Sequence, residues 1–203
     1  MPTLERWQAT WSGLGLEAPP GLHEELCQRY GEPHRAYHTL HHLAECFGHF
    51  DRARHLATHA CEVELALWLH DAIYEPRAAD SEEQSAATQA LTAAHAAPGR
   101  IDRVSGLILA TKHAAVEGPP DHAVLLDTDL SILGAPRPRF LEYEAQIRRE
   151  YSWVPEDAFR KARAAILAQF IERPRIYATD YFAELLEAQA RSNLHFSLTR
   201  LDA

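Results

Sequence analysis

The sequence predicts an all-α fold, and three observations predict it. Alternation of apolar and polar residues, the mark of a half-buried strand, is rare. Ala, Leu, Glu and Arg, which favour helix, dominate. Proline and glycine fall in clusters that cut the chain into helix-sized lengths: Pro19-Pro20, Gly31-Glu32-Pro33, Pro98-Gly99, Pro119-Pro120, Pro136 and Pro138, Pro155 and Pro174. No Gly/Ser linker, low-complexity run or repeat of solenoid period divides the 203 residues, so residues 1–203 read as a single compact helical domain.

In chain order, helices are expected over 3–13 and 20–30, parted by Pro19-Pro20 and closed by Gly31-Glu32-Pro33. A helix over 38–53 carries Leu40, Leu43, Phe47 and Phe50 on one face. The helix over 59–75 is almost wholly apolar in its second half. Ser81 is the N-cap expected for 81–97, and Asp121 the one for 121–134, with 100–114 between them. Helices over 137–151, 155–171 and 175–191 complete the set, while the tail "NLHFSLTRLDA" carries no clear signal. Trp68, Phe47, Tyr74 and Phe170, at helical spacing, read as core rather than as a platform for stacking bases.

A net charge of −9 excludes a general nucleic-acid-binding surface, which would be basic, but leaves room for a small phosphorylated substrate met by a metal and a few basic groups. Cys27, Cys46 and Cys61 form no Cys-x-x-Cys pair, and so sparse and odd a count predicts reduced thiols in the cytoplasm. The N-terminal "MPTLERWQAT" has no signal-peptide apolar core, and no run approaches the roughly 20 apolar residues of a membrane span.

One stretch resists the simple reading. In "ELALWLHDAIYEP" every residue from Leu65 to Tyr74 is apolar or aromatic except His70 and Asp71. An ionised carboxylate in apolar surroundings is costly unless it is paired or bound to a metal. Alone, the pair reads as an exposed helix end or as two groups satisfying backbone partners. Its company points elsewhere. Upstream, "PHRAYHTLHHL" carries His34, His38, His41 and His42; downstream, acids interrupt "VLLDTDLSILG". Three apolar helices, each interrupted by His or Asp, suit convergence on a divalent cation, and imidazole with carboxylate favours Mn, Fe, Co, Ni or Zn over Ca, with Mg also open.

The ordered pieces "RAYHTLHH", "LWLHDAIYEP", "DSEEQSA", "LLDTDLSILG" and "IYATDYFAELLEAQARSNL" resemble the HD-domain superfamily of metal-dependent phosphohydrolases, and most of all a branch of short bacterial proteins of about this length. The resemblance runs from about Arg35 to Leu194. It implies an HD-type all-helical core with one or two divalent metal ions held by His38, His70, Asp71 and Asp129. It also implies hydrolysis of phosphate esters or anhydrides, often of nucleotides. His38 is selected by the match of "RAYHTL" to an Arg-x-x-His; helix phase alone would set it opposite the apolar face or at an irregular helix start.

Further residues can be placed around this set. His41 and His42 are expected as phosphate contacts or support for the ligands, or as solvated histidines. Some relatives place an acid four positions after the His of the pair, where this chain has Tyr74, a residue near the substrate. Glu82 is the expected acid/base beside Asp71, or else a first-turn glutamate complementing the helix dipole. Lys112 and His113 can steady a phosphate or close a helix end, and Arg35 can pair with a phosphate oxygen or lie on the surface. Arg103, Arg148 and Arg149 read as solvated. Between the two acids of "LLDTDLSILG", helix phase favours Asp129. Counted from Leu125 it lies about 40° round, inside the apolar face, and Asp127 lies about 200° round, facing solvent. Two other classes fit the sequence: a di-iron oxygenase on the same scaffold, and a non-catalytic module that binds a nucleotide or metal.

Overall fold

The computed structural model describes residues 1–75, 89–111 and 118–201. Among these residues it is all-α, without a strand. The middle of the fold is α4 (Ala60–Leu69), in which every residue from Glu62 to Leu69 is buried. A helix buried on all sides has no polar face to turn outward, so its two acids need partners. Glu62 accepts from Arg100 and Arg103, and Glu64 from Arg6 and Arg54. Arg103 is exposed, as expected, yet its guanidinium reaches in to pair with the buried Glu62.

Around α4 pack α1 (Leu4–Gly13), α3 (Leu40–Ala53), α5 (Pro98–Ala110) and α6 (Pro120–Asp129), and α2 (Leu22–Arg29) lies between α1 and the loop to α3. Trp68 meets Trp7 at 5.2 Å between ring centroids and Phe47 at 4.9 Å, as a core aromatic should. The second half contains α7 (Arg137–Glu150), α8 (Glu156–Glu172) and α9 (Asp180–Leu201). The other expected elements recur with shifts, while the first half of the helix expected over 81–97 lies outside the described residues. The last helix starts at Asp180 instead of 175 and absorbs the unassigned tail as far as Leu201. The helix expected over 121–134 ends at Asp129 and tightens into a 3₁₀ turn, Leu130–Gly134.

That 3₁₀ turn is held by α9. Asn193, fully buried, donates to the carbonyls of Leu133 (2.7 Å) and Ala135 (2.8 Å), and the Tyr177 hydroxyl donates to Leu130 O at 3.2 Å. Gly134 is required by close approach, since a Cβ there would lie 2.6 Å from the Leu186 Cβ. The position of Asp129 is therefore set from both sides.

Two expectations on α6 fail. Asp121 is not its N-cap; Pro119 holds that place, and the Asp121 carboxylate instead accepts the Thr58 and His59 N–H groups at the start of α4. Asp127 is not solvated but buried, 1% exposed. It accepts from the N–H groups of Ala178 (2.8 Å) and Thr179 (2.7 Å) and from the Thr179 hydroxyl (2.6 Å), capping the entry to α9. The phase argument assumed one buried face, whereas α6 is covered on its far side by residues 176–179. Ser81, the other expected N-cap, lies outside the described residues. No helix among those described is long and apolar enough to cross a membrane.

Candidate metal centre

His70 and Asp71 sit at the C-terminal end of α4, where four carbonyls lose their intrahelical partners. Burying that end requires substitutes, and the sequence supplies them. The Tyr30 hydroxyl donates to Trp68 O at 3.1 Å, and Ala72 N–H to Leu69 O at 3.1 Å. The His70 Nδ1 lies 2.8 Å from Leu67 O and so donates to it. Arg35 completes the set: its guanidinium donates to the carbonyls of His38 (3.1 Å), Asp71 (2.7 Å) and Ala72 (3.1 Å), and to Glu32 at 3.0 Å. Arg35 is thus neither a surface residue nor a phosphate ligand. It is a buried clamp between the 35–38 loop and the end of α4.

With Nδ1 committed to Leu67, the His70 Nε2 is turned toward three other groups. It lies 3.3 Å from His42 Nε2, 3.0 Å from Asp71 Oδ2 and 3.5 Å from Asp129 Oδ1. His42 Nε2 lies 3.4 Å from Asp71 Oδ2 and 3.2 Å from Asp129 Oδ1. Asp71 Oδ2, although buried this close to two nitrogens, has no hydrogen directed at it. Donor atoms about 2.0–2.1 Å from one cation lie roughly 2.9–3.4 Å apart. Spacing and an orphaned carboxylate oxygen both fit a divalent transition-metal ion. The His70 Nδ1–H bond to a carbonyl is the support that a ligating imidazole ordinarily has.

Electrostatics agree. Burial disfavours a charged His42 or His70, yet their neighbours, chiefly Cys46 and Tyr37 for His42 and Asp71 for His70, hold both imidazoles well above the usual histidine range. Burial likewise opposes ionised Asp71 and Asp129, and the histidines override it, holding both carboxyls far below the usual range. Two extra protons on nitrogens 3.3 Å apart repel one another; one cation would neutralise the same acids without that repulsion. Among the described residues, those able to hold it form two overlapping trios, His42 with His70 and Asp71, and His42 with Cys46 and Asp129.

The structure brings together three of the four residues that the resemblance implies, His70, Asp71 and Asp129, and adds His42 where His38 was expected. His42 stands in the first turn of α3, capped by Thr39, and points into the core. His38 precedes the helix, at the irregular start that was one of its two sequence readings. Its Nδ1 lies 2.7 Å from Glu150 Oε2, its ring stacks on Tyr74 at 4.1 Å, and it lines the same cavity as His70, Asp71 and Asp129. His41 is exposed and faces Glu45 at 3.6 Å, away from the cluster. Glu82, Lys112 and His113 lie outside the described residues.

Glu150 was missed. Its buried carboxylate accepts the N–H groups of Ala36 (2.7 Å), Tyr37 (2.8 Å) and His38 (3.0 Å) on Oε1, and His38 Nδ1 and the Tyr74 hydroxyl (2.9 Å) on Oε2. Burial would raise its pKa, but His38 and these backbone donors pull it down to about 2. The available signal was an acid completing the apolar stripe Phe140, Tyr143, Ile147 of α7.

His70, Asp71 and Asp129 line a cavity of about 800 Å³, together with residues of α7, α8 and the loop between them. Phe170, buried in the core as expected, and Tyr74, only half-buried, both line it. No family model matches the chain, and neither a curated protein nor a solved structure does.

Proposed function

We propose that the protein is a metal-dependent phosphohydrolase of the HD type, cleaving a phosphate ester or anhydride with water. The observation that carries this reading is the convergence of two imidazole nitrogens and two carboxylates, with nitrogen-to-nitrogen and nitrogen-to-oxygen distances of 3.0–3.5 Å, beside a ligand-sized cavity. The order of these residues along the chain, with its resemblance to the HD-domain superfamily, supports the same reading.

His42, His70, Asp71 and Asp129 would hold the ion, with Cys46 beside His42. When bound, the ion supplies Lewis acidity toward a phosphoryl oxygen and lowers the pKa of a bound water. The chain's own residues do the rest. Glu150 holds the Nδ1–H of His38, which leaves the His38 Nε2 as the nitrogen able to take up or return a proton at the cavity wall. Arg35 fixes the loop that carries His38 against the carbonyls of Asp71 and Ala72, so that this histidine and the cluster keep a constant relation.

The test is phosphate release from a panel of phosphomonoesters, phosphodiesters, nucleotides and pyrophosphates, each with Mn, Co, Ni, Mg and Zn. Metal-dependent turnover that Asp71→Ala abolishes is the expected result. No turnover of any member with any metal would overturn the proposal.

A further inference from the structure

The resemblance points to nucleotides, but the cavity has a different character away from the cluster. Its described wall there is made by Ile147, Tyr151, Trp153, Phe159, Ile166 and Phe170 with further apolar neighbours. Outside the cluster the described lining contains no Asp, Glu, Asn or Gln. Several of its polar side chains are committed, while the Tyr37 hydroxyl and the Arg163 Nε are the buried lining atoms left without a partner among the described residues. Arg163 donates to Glu144 and to the Tyr143 hydroxyl, Tyr74 donates to Glu150, and Thr111 donates to Ile108 O. A ribose or a base edge brought here would exchange water for a wall with few matching donors or acceptors, which is unfavourable. An aromatic hydrocarbon would lose no hydrogen bond and would gain apolar contact on several sides.

The mouth has the same character. Trp153 and Ile166 belong to the cavity lining, yet are 48% and 45% exposed, among the largest apolar exposures in the chain. Exposed apolar residues gathered at a cavity rim mark a ligand surface more often than isolated ones do. A phosphate alone would occupy the cluster end and leave most of the 800 Å³ empty.

We propose that the cavity selects a phosphate ester whose remainder is an apolar aromatic group without a sugar, with the phosphate at the His/Asp cluster and the ring between Trp153, Ile166 and the wall of α7 and α8. The placement of the phosphate rests on the function proposed above; the ring selectivity rests on the cavity wall.

The experiment is calorimetric titration of the full chain, supplied with Mn, against 1-naphthyl phosphate, adenosine 5′-monophosphate and glycerol 1-phosphate. The expected order is 1-naphthyl phosphate at least about tenfold tighter than either of the others. Trp153→Ala combined with Ile166→Asn, at two exposed positions, should reduce naphthyl phosphate affinity by about tenfold and change glycerol phosphate affinity by less than about twofold. Equal affinities, a preference for the nucleotide, no binding of naphthyl phosphate at millimolar concentration, or indifference to the double substitution would each overturn the inference. Because binding is read without turnover, ring selectivity in a protein that releases no phosphate would leave this inference standing while the hydrolase reading fell.

Discussion

Substituting Glu150 by Gln probes the best-determined device near the site. The change keeps the shape of the side chain and removes its charge. Gln can still accept the three backbone N–H groups through its oxygen, but its NH₂ then faces the Nδ1–H of His38, donor against donor. The size of the loss follows from the pKa. Glu150 is held at about 2 in the fold, against an ordinary 4.5, and the difference is equivalent to about 3 kcal/mol of stability. Screening at the cavity edge trims this to about 2–3 kcal/mol. A folded pKa below the unfolded one means that the stabilisation is complete above about pH 5 and drains away as pH falls toward 2. Urea denaturation of wild type and Glu150→Gln at pH 7 and at pH 3 should show a gap of about 2–3 kcal/mol that shrinks to about half at the lower pH. Turnover should also fall, by about tenfold or more, because the His38 tautomer is no longer fixed. A gap below about 1 kcal/mol at pH 7, or one independent of pH, would refute the reasoning.

The two acids of α6 should separate cleanly. Asp127→Ala should lower stability by about 2–3 kcal/mol, because it uncaps the start of α9, and leave metal binding intact; Asp129→Asn should do the reverse, measured by denaturation and metal titration on the same samples. Gly134→Ala forces a methyl group against the Leu186 Cβ, 2.6 Å away, and should cost about 1–3 kcal/mol, read as a fall in Tm, with weaker metal binding if the 3₁₀ turn carries Asp129 with it.

Much of this was legible in the sequence because it is written locally. Proline clusters and helical composition delimited most of the helices, and His70 with Asp71 announced itself by being polar inside an apolar run. What was illegible depends on partners distant in the chain. Asp127 lies in a helix whose second buried face is made by residues some fifty positions later, so a single-helix phase argument turned it outward. Arg35 looked like a phosphate ligand because nothing local reveals that its guanidinium is consumed by carbonyls 36 and 37 residues away. The choice between His38 and His42 depended on where α3 begins, and the start at Leu40, capped by Thr39, turns His42 inward and leaves His38 to Glu150. The last helix was foreshortened because its C-terminal turns, which mix apolar and polar residues, gave no clear signal of their own and are ordered by contacts of Asn193 with the 3₁₀ turn and of Leu201 with Arg160 of α8.

The most direct test of the metal centre is the stoichiometry and affinity of divalent-ion binding. Chelator-treated protein would be titrated with Co and Mn by calorimetry, for wild type, His42→Ala, His70→Ala and His41→Ala. The predicted result is about one ion per chain for wild type and for His41→Ala, with affinity lowered by about a hundredfold or more in His42→Ala and in His70→Ala. Wild-type protein that binds neither ion, or His42→Ala that binds as wild type does, would contradict the assignment of the cluster as a metal site with His42 among its ligands.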